Sequence, residues 1–523
     1  MRTMTDEITA SEMRRIDVNC KGIGLIPLQL MENAGACVAR AVRARFGKEH
    51  SVAIFAGTGN NGGDAFVAAR HLLDYHPKIL LFGRARDIAT DEARQNWQIL
   101  QNLGADLREI RDSSELRMLN LNHETDTVAD VIIDAMLGTG VRGGIREPIA
   151  SAINLINASG AFVISVDVPS GFGSGPDHPD YSDFEKSVHA DLTVTAHRAK
   201  VGLSECPEIT GEVEIGDIGI PARAEQVVGI GDLPPGRDRS ARSHKGDNGR
   251  VLVIGGGAFT GAPALTALAA LRTGADWVTV AAPRNAAGVI AGFSPNLIVH
   301  ALSGAGSHLV HDDIDTINAL IPKHDVVVIG MGLGRERETM ETVAEILRSN
   351  PEARFVIDAD ALHAIPTLIP LPLPTRTVPL ILTPHTSEFQ SLGKTTSTVP
   401  TVPTVPTDID ERSEVVRDFS LKNRVVTLLK GPADIISDGD VVRINRTGNV
   451  GMTVGGTGDV LAGVIGALFA KHDALASASA GAFVTGTAGD LASSEFGFGL
   501  LATDVIRRIP DAMQRDGTSP SRA

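Results

Sequence analysis

SVAIFAGTGNNGGDAFVAAR, residues 51–70, sets a short apolar run directly against a glycine-rich turn and a segment of helical period. A strand apolar on both faces is buried on both faces, and one that turns sharply into a helix opens a parallel sheet covered by helices. The turn also has chemistry open to it. Glycines let backbone N–H groups approach an anion, and the helix N-terminus adds partial positive charge. The spacing is not G-x-G-x-x-G, so a ligand loop and a ligand-free turn are equally open from these residues alone.

Outward from this stretch the alternation continues through KILLFG (78–83), VADVIIDAM (128–136), AFVISVDVPSG (161–171) and DLTVTAH (191–197). Segments of helical period such as DAFVAARHLLD and PIASAINLINA lie between them, which predicts a parallel sheet with helices on each side. Thr9 with Glu12 three residues on predicts a capped helix, followed by a second near PLQLMENAGACVARAVRARF. Near residue 225 the pattern lapses into GIGDLPPGRDRSARSHKGD, rich in Pro, Gly and charge, which places a domain boundary there and divides the chain into 1–225 and 226–523. Beyond it GRVLVIGGG (249–257), ADWVTVAAP, HDVVVIGMGLG, ARFVIDADAL, LILTPH and RVVTLLKG predict a second α/β domain. ADIISDGDVVRIN adds a hairpin with a D-G turn. STVPTVPTVPTD (397–408) repeats a Val-Pro-Thr unit and is expected to be a surface insertion.

With 523 residues the chain has room for two to four domains at about 150 residues each. Its 43% hydrophobic and 21% charged residues are those of a globular protein. A net charge of −15 repels phosphate backbones, so nucleic acid is not an expected partner and any phosphate must be captured locally. Cys20, Cys37 and Cys206 follow no C-x-x-C spacing, which argues against a disulfide framework or a zinc site. No leader pattern and no membrane-spanning apolar run is present, so a cytoplasmic protein without a membrane partner is expected, as a homo-oligomer.

Candidate functional residues gather at the strand ends. Asn61, Asp134 and Ser170 are oxygen donors on three loops, a set that suits a hard cation or a ribose, against the alternative that each caps a local turn. Asp167 precedes Ser170, and a second glycine loop follows Asp134. In the C-terminal half GGGAFTGAPALTALAALRTGA repeats the strand, glycine turn and helix, MGLG (331–334) ends another strand, and His385 stands at the end of a further one. Lys430 is open to two readings, a phosphate partner or a solvated strand-end cation. Asp358 and Asp360 either orient Mg²⁺ or cap a turn, and the turn is the expectation. In NVGMTVGGTGDVLAG (449–463), Asp459 falls in the first turn of a helix, where the dipole would lower its pKa and make it a weak base. As a general base it must lie within about 3 Å of a substrate hydroxyl, beside a phosphate held by Gly456 and Gly458.

The set GNNGGDAF, VIIDAMLGTGVRGG and VDVPSG resembles the NAD(P)H-hydrate epimerase domain over residues 1–225. HKGDNGRVLVIGG, FTGAPALTALAALRTGA, VIDADAL, LTPH, KG and GNVGMTVGGTGDVLAG resemble the ADP- or ATP-dependent NAD(P)H-hydrate dehydratase over about 240–515. The resemblance implies a Rossmann-like three-layer αβα domain followed by a ribokinase-like αβα domain, the two together repairing hydrated NADH and NADPH. It implies that Asn60, Asn61, Gly62, Gly63, Asp64 and the loop Gly138, Thr139, Gly140, Val141, Arg142, Gly143, Gly144 hold the hydrate. Asp167 would act on it, while Asn61, Asp134 and Ser170 would bind K⁺. In the dehydratase Ala262, Gly332 and His385 would contact the hydrate. Lys430, Gly431, Pro432, Ala433, Asp434 and Gly458 would bind ADP or ATP with Mg²⁺, and Asp459 would take the hydroxyl proton. ADP is the preferred nucleotide. A ribokinase-like small-molecule kinase fused to a non-catalytic ligand-binding domain is the alternative. Two residues depart from the family pattern: Ala65 replaces a glycine and is expected to narrow the hydrate pocket, and Asp434 replaces a threonine and brings negative charge near a phosphate.

Overall fold

The computed structural model describes residues 7–116, 129–140, 144–173, 186–234, 242–304, 306–368, 377–392 and 405–514. The chain forms two compact units, Met1–Glu225 and Gln226–Ala523.

In the first unit seven strands form a parallel sheet: β1 (Val52–Ala56), β2 (Lys78–Phe82), β3 (Asp106–Ile110), β4 (Val131–Ala135), β5 (Phe162–Val166), β6 (Leu192–Ala196) and β7 (Glu212–Gly216). The spatial order is β3-β2-β1-β4-β5-β6-β7. Side chains of β1 alternate between two cores: Val52 and Ile54 join Phe66 and Trp97, whereas Ala53 and Phe55 join Ile153 and Ile156. Each face is therefore closed by helices, α2 (Pro27–Arg45), α3 (Asn60–His71) and α4 (Asp91–Asn102) on one and α5 (Ile149–Asn157) on the other, while α1 (Ala10–Gly22) packs in a separate cluster with Leu30, Ile218 and Ile220. Thr9 caps α1 by accepting from the Glu12 N–H at 3.1 Å.

The second unit holds a nine-stranded sheet built from β8 (Arg250–Ile254), β9 (Trp277–Pro283), β10 (Ile298–Leu302), β11 (Val326–Ile329), β12 (Phe355–Ile357), β13 (Ile381–Leu382), β14 (Val426–Leu429), β15 (Asp434–Ser437) and β16 (Val442–Asn445). Their order is β10-β9-β8-β11-β12-β13-β14-β15-β16, parallel up to β14 and antiparallel through the final hairpin. Val251 and Val253 face a core with α6 (Gly261–Thr273), α7 (Arg284–Gly292), α12 (Thr457–Phe469) and α13 (Ala474–Phe496). Leu252 and Ile254 face the other, with α8 (Ile314–Leu320), α9 (Arg337–Ser349), α10 (Thr386–Leu392) and α11 (Ile409–Asn423). The last helix is α14 (Ala502–Ala512). At the start of this unit Val228 donates its N–H to Ile444 O, so the chain just past residue 225 already pairs with the hairpin.

Strand order reverses between β1 and β4 in one sheet and between β8 and β11 in the other. At such a switch point the loops leaving the two strands run to opposite sides and open a crevice at their carboxyl ends. The loops after residues 56, 135, 254 and 329 are the glycine loops singled out in the sequence. Val141, Arg142, Gly143 and most of the Val-Pro-Thr repeat lie outside the described residues.

Candidate active sites

In the first unit the loops of β1 and β4 meet at backbone distance. A Cβ on Gly57 would lie 2.0 Å from Met136 O, and one on Gly62 would lie 1.9 Å from Gly57 O. That contact brings the first turn of α3 against the β4 loop, where Asn61 Nδ2 donates to Leu137 O at 3.0 Å. Asp134, fully buried at the end of β4, accepts from Ser170 Oγ at 2.6 Å, Ser170 N–H at 2.8 Å, Ser165 Oγ at 3.0 Å and Met136 N–H at 3.3 Å. Burial nonetheless pushes its carboxyl pKa upward. Asn61, Asp134 and Ser170 are thus brought together as expected from their strand-end positions. Asn61 Oδ1 is buried without a hydrogen-bond partner among the described residues. An orphaned carbonyl oxygen beside a hydroxyl, a main-chain carbonyl and a carboxylate is the donor chemistry of a hard monovalent cation, and these residues fit one.

Around the rest of the loop, Asn60 Oδ1 accepts from Thr90 Oγ1, and Gly63 faces Met31 and Ala93. Gly138 stands against Asn61, and Thr139, Gly140 and Gly144 continue the β4 loop at the surface. Ala65, expected to narrow the hydrate pocket, is wholly buried and packs in the core cluster that holds Phe66 and Trp97.

Beside this group lies a second set of charges. Asp167 has a left-handed backbone, φ 65°, at the end of β5, a conformation that costs a non-glycine residue on the order of 1 kcal/mol and is held here by its N–H bond to Val194 O. Its Oδ1 lies 2.5 Å from Lys200 Nζ and 3.3 Å from the Ala196 N–H and Thr195 Oγ1. Lys200 is 4% exposed and donates also to Ala196 O and Thr195 Oγ1, so one carboxylate oxygen of Asp167 is saturated and Oδ2 is left open. Asp64 feels burial first, then the charges of Asp167 and Asp17, and its pKa stands well above the carboxylate range. Asp17, on α1, is pushed up to about 6 by burial, with Lys200 lowering it and Asp167 raising it. The sequence reading missed Lys200 and Asp17. The signal available for Lys200 was a lone cation in the apolar turn after β6; a polar residue on the helix preceding the first glycine loop gave none.

In the second unit Gly456, φ 100°, turns the chain into α12, and Thr457 Oγ1 ties the turn back to Met452 O at 2.9 Å. A Cβ on Gly458 would stand 3.4 Å from Lys430 Nζ and 4.0 Å from Asp358 Oδ2. Lys430 bonds Asp358 at 2.8 Å, and Asp358 also accepts from Thr383 Oγ1 at 2.8 Å. Asp358 is 2% exposed and makes no turn cap, which corrects the expected structural role. Asp360 does hold a turn, accepting from the Gly334 N–H and Arg335 Nε. Burial works most strongly against the charge of Lys430, but the charge and hydrogen bond of Asp358 together with the charges of Glu388 and Asp459 leave the ammonium pKa above its ordinary value. Asp459 is raised to about 7, by burial first and the Asp358 charge second, with Lys430 opposing. The expected lowering by the helix dipole is therefore overturned: a dipole contributes typically about 0.3–1 kcal/mol, less than burial next to a like charge.

His385 pairs with Lys430 across the ends of β13 and β14. Its Nδ1 accepts the first N–H groups of α10, and Nε2 lies 3.1 Å from Glu388 Oε1, so the hydrogen-bond pattern places the ring proton on Nε2. Gly332, φ 68°, packs against Phe259, whose own ring is 67% exposed, and Ala262 begins α6. Thr266, one turn further along α6, donates to the Asp459 carbonyl at 3.0 Å and connects this group to α12. In the Lys430–Asp434 loop Asp434 accepts from the Gly431 N–H at 3.1 Å and Asn445 Nδ2 at 3.1 Å, closing the loop on itself. Among the described residues no cluster of three His, Cys, Asp or Glu side chains is arranged to hold a metal ion.

Two glycine-loop crevices at the switch points of two parallel sheets, one carrying a lysine-bound aspartate and the other a lysine–aspartate pair beside a helix-borne acid, define a two-unit α/β enzyme. The model for the NAD(P)H-hydrate dehydratase family matches residues 251–511, and that for the YjeF-related protein N-terminus matches residues 27–202. The bifunctional NAD(P)H-hydrate repair enzyme of Archaeoglobus fulgidus is 44% identical over 97% of this chain and 98% of its own. That of Methanothermobacter thermautotrophicus is 43% identical over 96% and 94%. The chain belongs to the family of bifunctional NAD(P)H-hydrate repair enzymes. Among solved structures, the ADP/ATP-dependent NAD(P)H-hydrate dehydratase of Bacillus subtilis is 24% identical, covers 53% of this chain and 94% of its own, and has a TM-score of 0.44.

Proposed function

We propose that the first unit interconverts the R and S hydrates of NADH and NADPH and that the second dehydrates the S form at the expense of ADP, or of ATP. Hydration of a dihydronicotinamide puts the hydroxyl on the carbon next to the ring nitrogen, because the nitrogen lone pair stabilises a cation there. Epimerisation then requires that the C–O bond break with a proton delivered to the departing oxygen, and that water return to the other face with a proton removed. Asp64 is the acid, its pKa raised by burial and neighbouring negative charge. Asp167 is the base: Lys200 fixes one of its oxygens and leaves the other for the incoming water. Asn61, Asp134 and Ser170 would hold K⁺, which would supply positive charge to the orphaned Asn61 Oδ1 and the buried Asp134 carboxyl. Gly138, which stands against Asn61, borders the hydrate.

In the second unit Asp459 takes the proton of the ring hydroxyl as that oxygen attacks the terminal phosphorus of the nucleotide. The phosphorus–oxygen bond to the leaving nucleotide breaks, giving AMP from ADP. The phosphate then departs with the carbon–oxygen electrons as the nitrogen lone pair moves in, and loss of the neighbouring carbon's proton restores the reduced ring. Lys430 and the Lys430–Asp434 loop grip the phosphates with the N–H of Gly458, and Mg²⁺ enters with the nucleotide. Ala262, Gly332 and His385 line the hydrate side. One observation carries the reading: the acid held at a pKa of about 7 lies beside a buried lysine–aspartate pair at the mouth of a glycine turn. Full-length protein mixed with R and S hydrates and ADP is expected to recover the 340-nm absorbance (roughly, the reduced nicotinamide band) from both epimers. Accumulation of a stable phosphorylated compound without NADH would favour the kinase alternative.

The same reading places the protein with its dinucleotide substrates in the cytoplasm, and no helix of the described residues is long and apolar enough to cross a membrane. Sedimentation of the full chain checks the expected homo-oligomer.

A further inference from the structure

Arg412 stands in the first turn of α11, and its guanidinium lies over the backbone of Gly431: a Cβ built on that glycine would be 2.7 Å from Nη2 and 3.4 Å from Nη1. The guanidinium thus reaches the main chain of the loop itself. Arg412 Nε and Nη2 are buried, and neither has a hydrogen-bond partner among the described residues. A guanidinium is always charged and carries five N–H donors in a planar fork matched to phosphate or carboxylate. Left buried with unmet donors it is costly, so its surroundings call for an anion.

The nearest protein acid does not fill that role. Asp434 is engaged through Oδ1 with the Gly431 N–H and through Oδ2 with Asn445, and Arg412 acts on it only through its charge. The unmet donors instead lie against Gly431 in the turn that follows Lys430. Lys430 is itself taken up by Asp358. Two cations therefore flank one short glycine-containing loop, one paired and one with open donors.

We propose that Arg412 is a phosphate-binding residue of the second unit, holding the nucleotide through the guanidinium nitrogens that lie over Gly431. The assignment rests on the dehydratase reading above. It also accounts for Asp434: with Arg412 beside it, the acid that replaces the family's threonine shapes the loop without repelling the ligand. The fork suits the phosphates shared by ADP and ATP and has nothing to offer the nucleoside.

The test is calorimetric titration of the full-length protein and its Arg412→Gln and Arg412→Lys variants with ADP, ATP and adenosine in turn. Loss of a charged fork from a phosphate is expected to weaken ADP or ATP at least about tenfold in Arg412→Gln and less in Arg412→Lys, with adenosine unchanged. R-to-S exchange by the first unit of the same chains serves as the control for folding. The proposal is overturned if both nucleotides bind Arg412→Gln within about twofold of the parent, or if adenosine weakens as much as ADP. Failure of the parent protein to bind either nucleotide would contradict the dehydratase reading itself.

Discussion

Asp459 has the chemistry that its surroundings impose. A carboxylate in the first turn of a helix is ordinarily a weak base, and here burial and the Asp358 charge reverse that, leaving a pKa of about 7. As the base must be deprotonated, the nucleotide-dependent reaction is expected to rise with pH along a limb centred near that value. Asp358→Asn removes the negative neighbour and frees the Lys430 ammonium, and both changes favour the Asp459 carboxylate. The limb should move to lower pH, measured as kcat/KM between pH 5 and 9 (about the range in which the protein must be assayed). Linkage gives a second outcome. A carboxyl whose folded pKa is raised contributes stability below its unfolded value of about 3.8, and that contribution is lost as pH rises through about 7. Asp459→Asn is therefore expected to raise the melting temperature of the second unit at pH 8 (about one unit above the folded pKa) and to have little effect near pH 4. In the first unit, Lys200→Gln should cut R-to-S exchange by roughly a hundredfold, because Asp167 loses the partner that orients it, while dehydration of the S hydrate is unchanged.

At the level of the element, glycine positions show where backbone meets backbone. A Cβ on Gly463 would lie 2.1 Å from Thr266 O, so α12 and α6 cross at a distance that only glycine permits. Gly463→Ala is expected to destabilise the second unit by about 1–3 kcal/mol, read from denaturant unfolding, and to shift Asp459 away from the loops it serves. The sequence was most legible in such packed interiors. Most buried central strands read as apolar runs, interrupted at most by a Ser, Thr or Asp, and the glycine turns marked the site loops. Among the strands that went unread, Asp106–Ile110, Glu212–Gly216 and Ile298–Leu302 lie at sheet edges and mix charged or exposed residues with apolar ones. Asp358 was misread for a related reason: a turn cap and a buried ion pair have the same residue at the same strand end, and only the fold brings Lys430 from about 70 residues away to decide between them. Arg412 and Lys200 were invisible likewise, since their meaning depends on a glycine and an aspartate distant in sequence.

For the whole molecule, two sheets with the same reversal of strand order would, on the proposed reading, carry two different chemistries, one built on oxygen donors with a lysine-bound base, the other on a nucleotide loop with a helix-borne base. Monovalent-cation dependence should accordingly belong to one activity only. Replacing K⁺ by a bulky organic cation is expected to slow R-to-S exchange and to lower the first unfolding transition, because Asn61 Oδ1 and Asp134 lose the charge that satisfies them. The most direct test of the account is full-length Asp459→Asn supplied with pure S hydrate and ADP, followed by NADH absorbance. The account predicts no nucleotide-dependent recovery of NADH while the same sample still converts R hydrate to S. Recovery at the parent rate would contradict it.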